Sequence, residues 1–205
     1  MLPLSACPAT MSSDMKTNVL PYKKSINCAG FSDEQIAMIW DFYVTKAIAG
    51  SASQQRKVSD YGLSKIPYDE MLKIADVPDE YCNALLADKM PGTLRINDLL
   101  IVGEKGVPVE IDIDIPRIAY LIPYQIIDNG KPQAKNNCGK AEALLTHIRN
   151  SFAHGNTYFF DNGNVLLEDK NGSTITAMCL LRQQTLLDWI QLIDKSQKYY
   201  VLHDV

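Results

Sequence analysis

Histidine and arginine are scarce in this chain of 205 residues, three of the first and five of the second. A general nucleic-acid coat needs many more cations. The formal net charge of −4 excludes that class, though not a small local basic site. The five cysteines (Cys7, Cys28, Cys82, Cys138, Cys179) contain no Cys-x-x-C pair. Thiols that are odd in number and scattered build no disulfide framework and favour a reducing compartment. Without a close Cys/His cluster, no metal site and no other cofactor is expected. No apolar run approaches the roughly 20 residues of a membrane span. The best candidate, 118–127, is short and carries Pro123. The N-terminus lacks a charged-then-apolar leader pattern. Together these absences lead us to expect a soluble, cytoplasmic protein with no membrane partner.

The composition that is present is globular: 46% hydrophobic and 21% charged. We expect an N-terminal arm or loop over 1–30, where Pro3, Pro8 and Pro21 fall, and one domain over 31–205. Ser32 and Gln35 form a capping box, and Phe31 and Ile36 a hydrophobic staple. They open a helix carrying Ile36, Ile39, Trp40, Tyr43 and Ala47, which Gly50 ends. A second helical stretch over 67–90 breaks near Pro78 into a Met71/Leu72/Ala75 face and a Tyr81/Ala84/Leu85/Met90 face. Residues 107–115 alternate apolar and polar as a half-buried strand, and Pro108 and Pro116 push it to an edge. Residues 118–127 fit either a short helix or a strand. A polar loop with Lys131 and Lys135 follows. Asn162-Gly163 and Asn171-Gly172 between apolar runs signal a small β-meander over 157–177. Residues 180–199 read as a last long helix with Leu186, Trp189, Ile190 and Ile193 inward.

The chain is organised around residues 141–160. Ala141, Leu144, Leu145, Ile148 and Phe152 make one apolar helical stripe. Gly155 supplies a left-handed helix end. His147, Asn150, Ser151 and His154 make a polar stripe roughly opposite, with Arg149 on its flank. Arginine is a permanent planar cation suited to phosphate. Histidine can take and give a proton near neutral pH. Asn150 and His154 stand one turn apart. Arg149 and His154, five apart, differ by about 7.5 Å of rise and roughly 140° of rotation. One helix does not aim both at one point. A long arginine that curls round, or a second copy of the helix, would. We expect the second copy, in a two-fold homodimer.

Arg149-Asn150-Ser151-Phe152-Ala153-His154 resembles the R-polar-x-x-x-H signature of the HEPN superfamily. The resemblance extends into the apolar run before it and the helix after residue 180, about a third of the chain. It implies a mainly α-helical, HEPN-like bundle with a small β insertion. It also implies a metal-independent endoribonuclease of a toxin, phage-defence or stress-response kind, acting on RNA and open to restraint by an antitoxin or regulatory protein. Arg149 would hold the scissile phosphate, His154 would move protons, and Asn150 would orient the histidine or bind substrate. His147, Ser151 and Tyr158 are further candidates for substrate contact. Members paired with a nucleotidyltransferase antitoxin usually carry tyrosine two residues after the histidine; Asn156 stands there. The alternative it allows is a non-catalytic nucleotide- or RNA-binding or dimerisation module, an antitoxin or a sensor. Each residue also has an ordinary reading: a surface ion pair for Arg149, a helix-end charge for His154, an interface or solvated site for His147, and core packing for Tyr158. Asp112 and Asp114 read as a solvated strand face, and His203 as part of the tail.

Overall fold

The computed structural model describes residues 22–23, 26, 29–86, 101–102, 108–110, 115–127, 129–135, 138–172 and 174–201. Most of the expected N-terminal arm, Met90, Asp112, Asp114, His203 and most of the 107–115 alternation lie outside them.

In chain order the elements are β1 (Tyr22–Lys23), α1 (Asp33–Trp40), α2 (Tyr68–Ala75), β2 (Cys82–Leu86), β3 (Ile101–Val102), β4 (Pro108–Glu110), β5 (Arg117–Ile122), β6 (Tyr124–Ile126), β7 (Pro132–Ala134), α3 (Lys140–Ala153), β8 (Thr157–Phe160), β9 (Asn164–Asn171), β10 (Thr174–Arg182) and α4 (Gln183–Ile193). Six strands form one sheet in the order β1-β8-β9-β10-β5-β2. All its pairings are antiparallel except β2 with β5.

The expectation of a mainly α-helical bundle is therefore corrected: the molecule is mixed α/β. The 157–177 meander is not a small insertion between helices. Its strands β8, β9 and β10 are the middle of the sheet, because β10 extends to Arg182 and pairs β5 on its far side. In the second half of the 67–90 stretch, Asp79–Tyr81 is a single 3-10 turn and Cys82–Leu86 is strand, not helix. Cys82–Leu86 runs parallel to β5, with Cys82 opposite Ile118 and Leu86 opposite Ile122. The open choice at 118–127 resolves to strand.

Local signals explain the helices. The α1 capping box is present: Ser32 Oγ accepts from the Gln35 N–H at 3.2 Å, and Gln35 Oε1 accepts from the Ser32 N–H at 3.0 Å. The helix then widens into a π turn over Asp41–Thr45. Tyr43, buried there, donates its hydroxyl to the Leu186 carbonyl at 2.8 Å and stacks on Phe152. On α4, Trp189 is fully buried and its indole N–H donates to the Met71 carbonyl at 2.8 Å. One core joins these helical residues to Ile118, Tyr120, Phe159, Val165, Leu167, Ala177, Cys179 and Leu181, alternate positions of four strands.

The motif helix α3 is fastened to this sheet along its length. Its first carbonyl, Lys140, lies 2.9 Å from the Tyr120 hydroxyl, which also meets the Tyr68 hydroxyl at 2.9 Å. All five residues of the expected apolar stripe are buried. At its end the Asn156 N–H bonds the Ser151 carbonyl and the Gly155 N–H bonds the Phe152 carbonyl, the doubled C-terminal cap that a left-handed residue allows. Gly155 has φ +67°. The Glu168 N–H then takes the Asn156 carbonyl, tying the helix end to β9.

Candidate functional site

The polar residues of α3 do not form one solvent-facing stripe. His147 and Ser151 are buried, Arg149 and Asn150 are half-buried, and His154 is exposed. The Ser151 hydroxyl donates back to the His147 carbonyl at 2.8 Å, inside its own helix.

His147 is buried because both ring nitrogens find oxygen. Nδ1 lies 2.7 Å from Asp169 Oδ2 and Nε2 lies 2.7 Å from the Leu121 carbonyl. Asp169 is on β9 and Leu121 on β5, with β10 between them. The ring spans that gap where Ala177, the residue opposite both Asp169 and Tyr120, leaves room above the sheet. Asp169 is itself buried. Burial alone pushes its carboxyl up. Hydrogen bonds from His147 and Asn150, with the His147 charge, outweigh burial and hold it below the usual 3.8.

Asp169 Oδ2 also accepts from Asn150 Nδ2 at 3.0 Å, and Asn150 Oδ1 accepts from Arg149 Nη1 at 3.0 Å. The chemistry of the ends fixes the amide between them. A carboxylate only accepts and a guanidinium only donates, so the NH2 must face Asp169 and the oxygen must face Arg149. Arg149 Nη2 donates to the Ser51 carbonyl at 3.1 Å. The loop reaches that close because Gly50 has φ +80° and no side chain; a Cβ there would meet Thr146 Cγ2 at 3.3 Å. Arg149 Nε is buried without a hydrogen-bond partner among the described residues. Each terminal nitrogen keeps a second N–H for a ligand.

His154 sits where α3 ends, with φ −99° and ψ 2°. Its backbone N–H bonds the Asn150 carbonyl at 2.9 Å. Its exposed ring makes no hydrogen bond or ion pair with a described residue.

The site thus brings Arg149 and Asn150 together with His147, through Asp169, and leaves His154 free one turn further on. Tyr158 and Ser151 are not part of it. Tyr158 is buried with its hydroxyl 3.5 Å from Glu168 Oε2. Glu168 precedes Asp169 in an extended strand, so Tyr158 faces the other side of the sheet. Asp169 was missed by sequence reasoning. Its signal was there: Val165, Leu167 and Asp169 share a strand face, so the alternation puts a carboxylate on the core side, where it needs partners.

Among the described residues, no three His, Cys, Asp or Glu side chains cluster to hold a metal, and no helix is long and apolar enough to cross a membrane. Compared with known proteins, the chain matches no family model, no curated protein and no solved structure.

Proposed function

We propose that this protein is an endoribonuclease that cuts RNA without a metal, with Arg149 and His154 contributed by two copies of the chain. The reading rests on one observation. An accessible imidazole stands at a helix end, five residues beyond an arginine that bonds the Asn150 amide, itself bonded to a carboxylate of the sheet. The resemblance of the 149–154 segment to HEPN ribonucleases supplies the reaction class, and the mixed α/β fold carries no argument for it.

Arg149 of one copy binds the scissile phosphate with its remaining N–H donors and offsets the charge that grows on the phosphoryl oxygens. His154 of the other copy takes the proton of the 2′-hydroxyl as that oxygen attacks phosphorus. The bond to the 5′-oxygen breaks, and the leaving oxygen takes a proton from water. The products are a 2′,3′-cyclic phosphate and a 5′-hydroxyl. Two-fold symmetry then gives the dimer two such sites, each with one arginine and one histidine. Restraint by an antitoxin or regulatory partner fits an enzyme of this kind; expression should then arrest growth, and His154→Ala should relieve the arrest.

Incubation with mixed RNA in EDTA tests the reading. Cleavage products with cyclic-phosphate and 5′-hydroxyl ends support it. The second reading is a phosphate-binding module without catalysis. It is favoured by the engagement of Arg149 with Ser51 and Asn150 of its own chain, and it predicts a mobility shift with no products.

A further inference from the structure

The geometry points to Asp169 as a positioning residue for Arg149: through the Asn150 amide, the β9 carboxylate sets the direction of the guanidinium that binds the scissile phosphate. This assignment rests on the proposed ribonuclease reading for its functional meaning, and on the hydrogen-bond chain for its physical content.

The chain runs from Asp169 Oδ2 to Asn150 Nδ2 at 3.0 Å, then from Asn150 Oδ1 to Arg149 Nη1 at 3.0 Å. Its anchor is stiff. Oδ2 also meets His147 Nδ1 at 2.7 Å, and the ring is held at its other nitrogen by the Leu121 carbonyl at 2.7 Å. Asp169 does not reach Arg149 directly. It removes the choice of which way the amide points, and a flipped amide would set its NH2 against a donor-only guanidinium. A long side chain with two anchored terminal nitrogens keeps less rotamer freedom to lose when a phosphate arrives.

The donor pattern gives a test that simple packing would not pass. Asp169→Asn weakens the contact: with its oxygen toward Asn150 the charge-assisted bond is lost, and if turned, its NH2 faces the Asn150 NH2. Asn150→Asp sets two carboxylates against each other. Combined, the two changes again set a donor against an acceptor. The amide introduced at position 169 gives one hydrogen to a neutral His147 Nδ1 and one to the carboxylate introduced at position 150, which accepts from Arg149. These are isosteric exchanges, so packing is constant across the set.

The experiment measures kcat and KM for RNA cleavage in EDTA, together with the Arg149 side-chain N–H signals by NMR, for wild type, both single variants and the exchanged pair. Each single variant should lose about tenfold or more in kcat and show an averaged Arg149 signal. The exchanged pair should regain most of the rate and a dispersed signal. Wild-type kcat and an unmoved Arg149 signal in Asp169→Asn would overturn the assignment. So would a folded exchanged pair no better than either single variant. If wild type cuts no RNA, the ribonuclease reading fails. The Arg149 signals then still decide the positioning claim, upheld by loss in the single variants with recovery in the pair and overturned without that pattern.

Discussion

Asn150 and Asp169 meet at 3.0 Å across 19 residues of sequence, and through that contact the motif helix is joined to the middle of the sheet. The same carboxylate oxygen holds His147 at 2.7 Å. Of the residues that look catalytic in the sequence, Arg149 and Asn150 are thus built on a buried polar anchor, and the strength of that anchor is open to measurement.

His147→Leu should destabilise the fold by about 3–5 kcal/mol, the range for removing one partner of a buried pair and leaving the other charge uncompensated. Asp169 is 6% exposed, so water does not replace the lost contact. The double variant His147→Leu/Asp169→Leu should cost less than the sum of the two single changes, because no orphaned charge remains. Urea unfolding of the four proteins checks both statements.

Stability should fall off at both ends of the pH scale. The Asp169 carboxyl is held below its usual 3.8, so its contribution is present above that value and is lost as pH falls through the lower folded value. Burial is the first cause that holds the hydroxyls of Tyr43, Tyr68, Tyr120 and Tyr200 above their usual 10.0. Their contribution is present below pH 10.0 and is lost as pH rises beyond it, where the unfolded chain ionises first. Thermal melts should show a plateau between these limits. Asp169→Asn should flatten the acid limb and leave the alkaline limb unchanged.

Gly50→Ala should cost about 1–2 kcal/mol, the penalty of a left-handed residue with a side chain. Its Cβ would also press on Thr146 at 3.3 Å. The shift should draw the Ser51 carbonyl away from Arg149, so phosphate affinity should change more than the stability loss alone explains. Calorimetric titration with a short, uncleavable RNA analogue, set beside the melting curve, separates the two effects.

The sequence made legible the helix ends that depend on neighbours three to five residues away, but not the others. The helix expected over 180–199 spans only Gln183–Ile193, because residues 180–182 pair in β10. The helix expected to run to Gly50 is α only to Trp40, then a π turn to Thr45. Ser32 and Gln35 cap α1, and Gly155 ends α3, as their spacing requires. The α3 apolar stripe and the inward faces of Trp189 and Ile190 were equally local. The sheet was not legible, because a ladder's second strand can lie anywhere in the chain. Cys82-Asn83-Ala84-Leu85-Leu86 has little strand preference of its own and becomes a strand by pairing with Ile118–Ile122. The meander could be read as a hairpin pair, but its central place depended on β10 meeting β5. His147 misled for a related reason. A polar side chain on a helix is expected to face outward, whereas this ring is buried with every nitrogen matched by oxygens from two distant strands.

The central claim is that a guanidinium from one copy and an imidazole from another act on one phosphodiester. Subunit mixing tests it most directly. Arg149→Ala and His154→Ala proteins are each assayed alone on RNA in EDTA, then assayed after being mixed, unfolded and refolded together, with heterodimer formation confirmed by native mass spectrometry. The account predicts two inactive proteins and a mixture that regains cleavage, since one of the heterodimer's two sites keeps both its Arg149 and its His154. Cleavage at the wild-type rate by either variant alone, or an inactive mixture in which heterodimers are present, would contradict it.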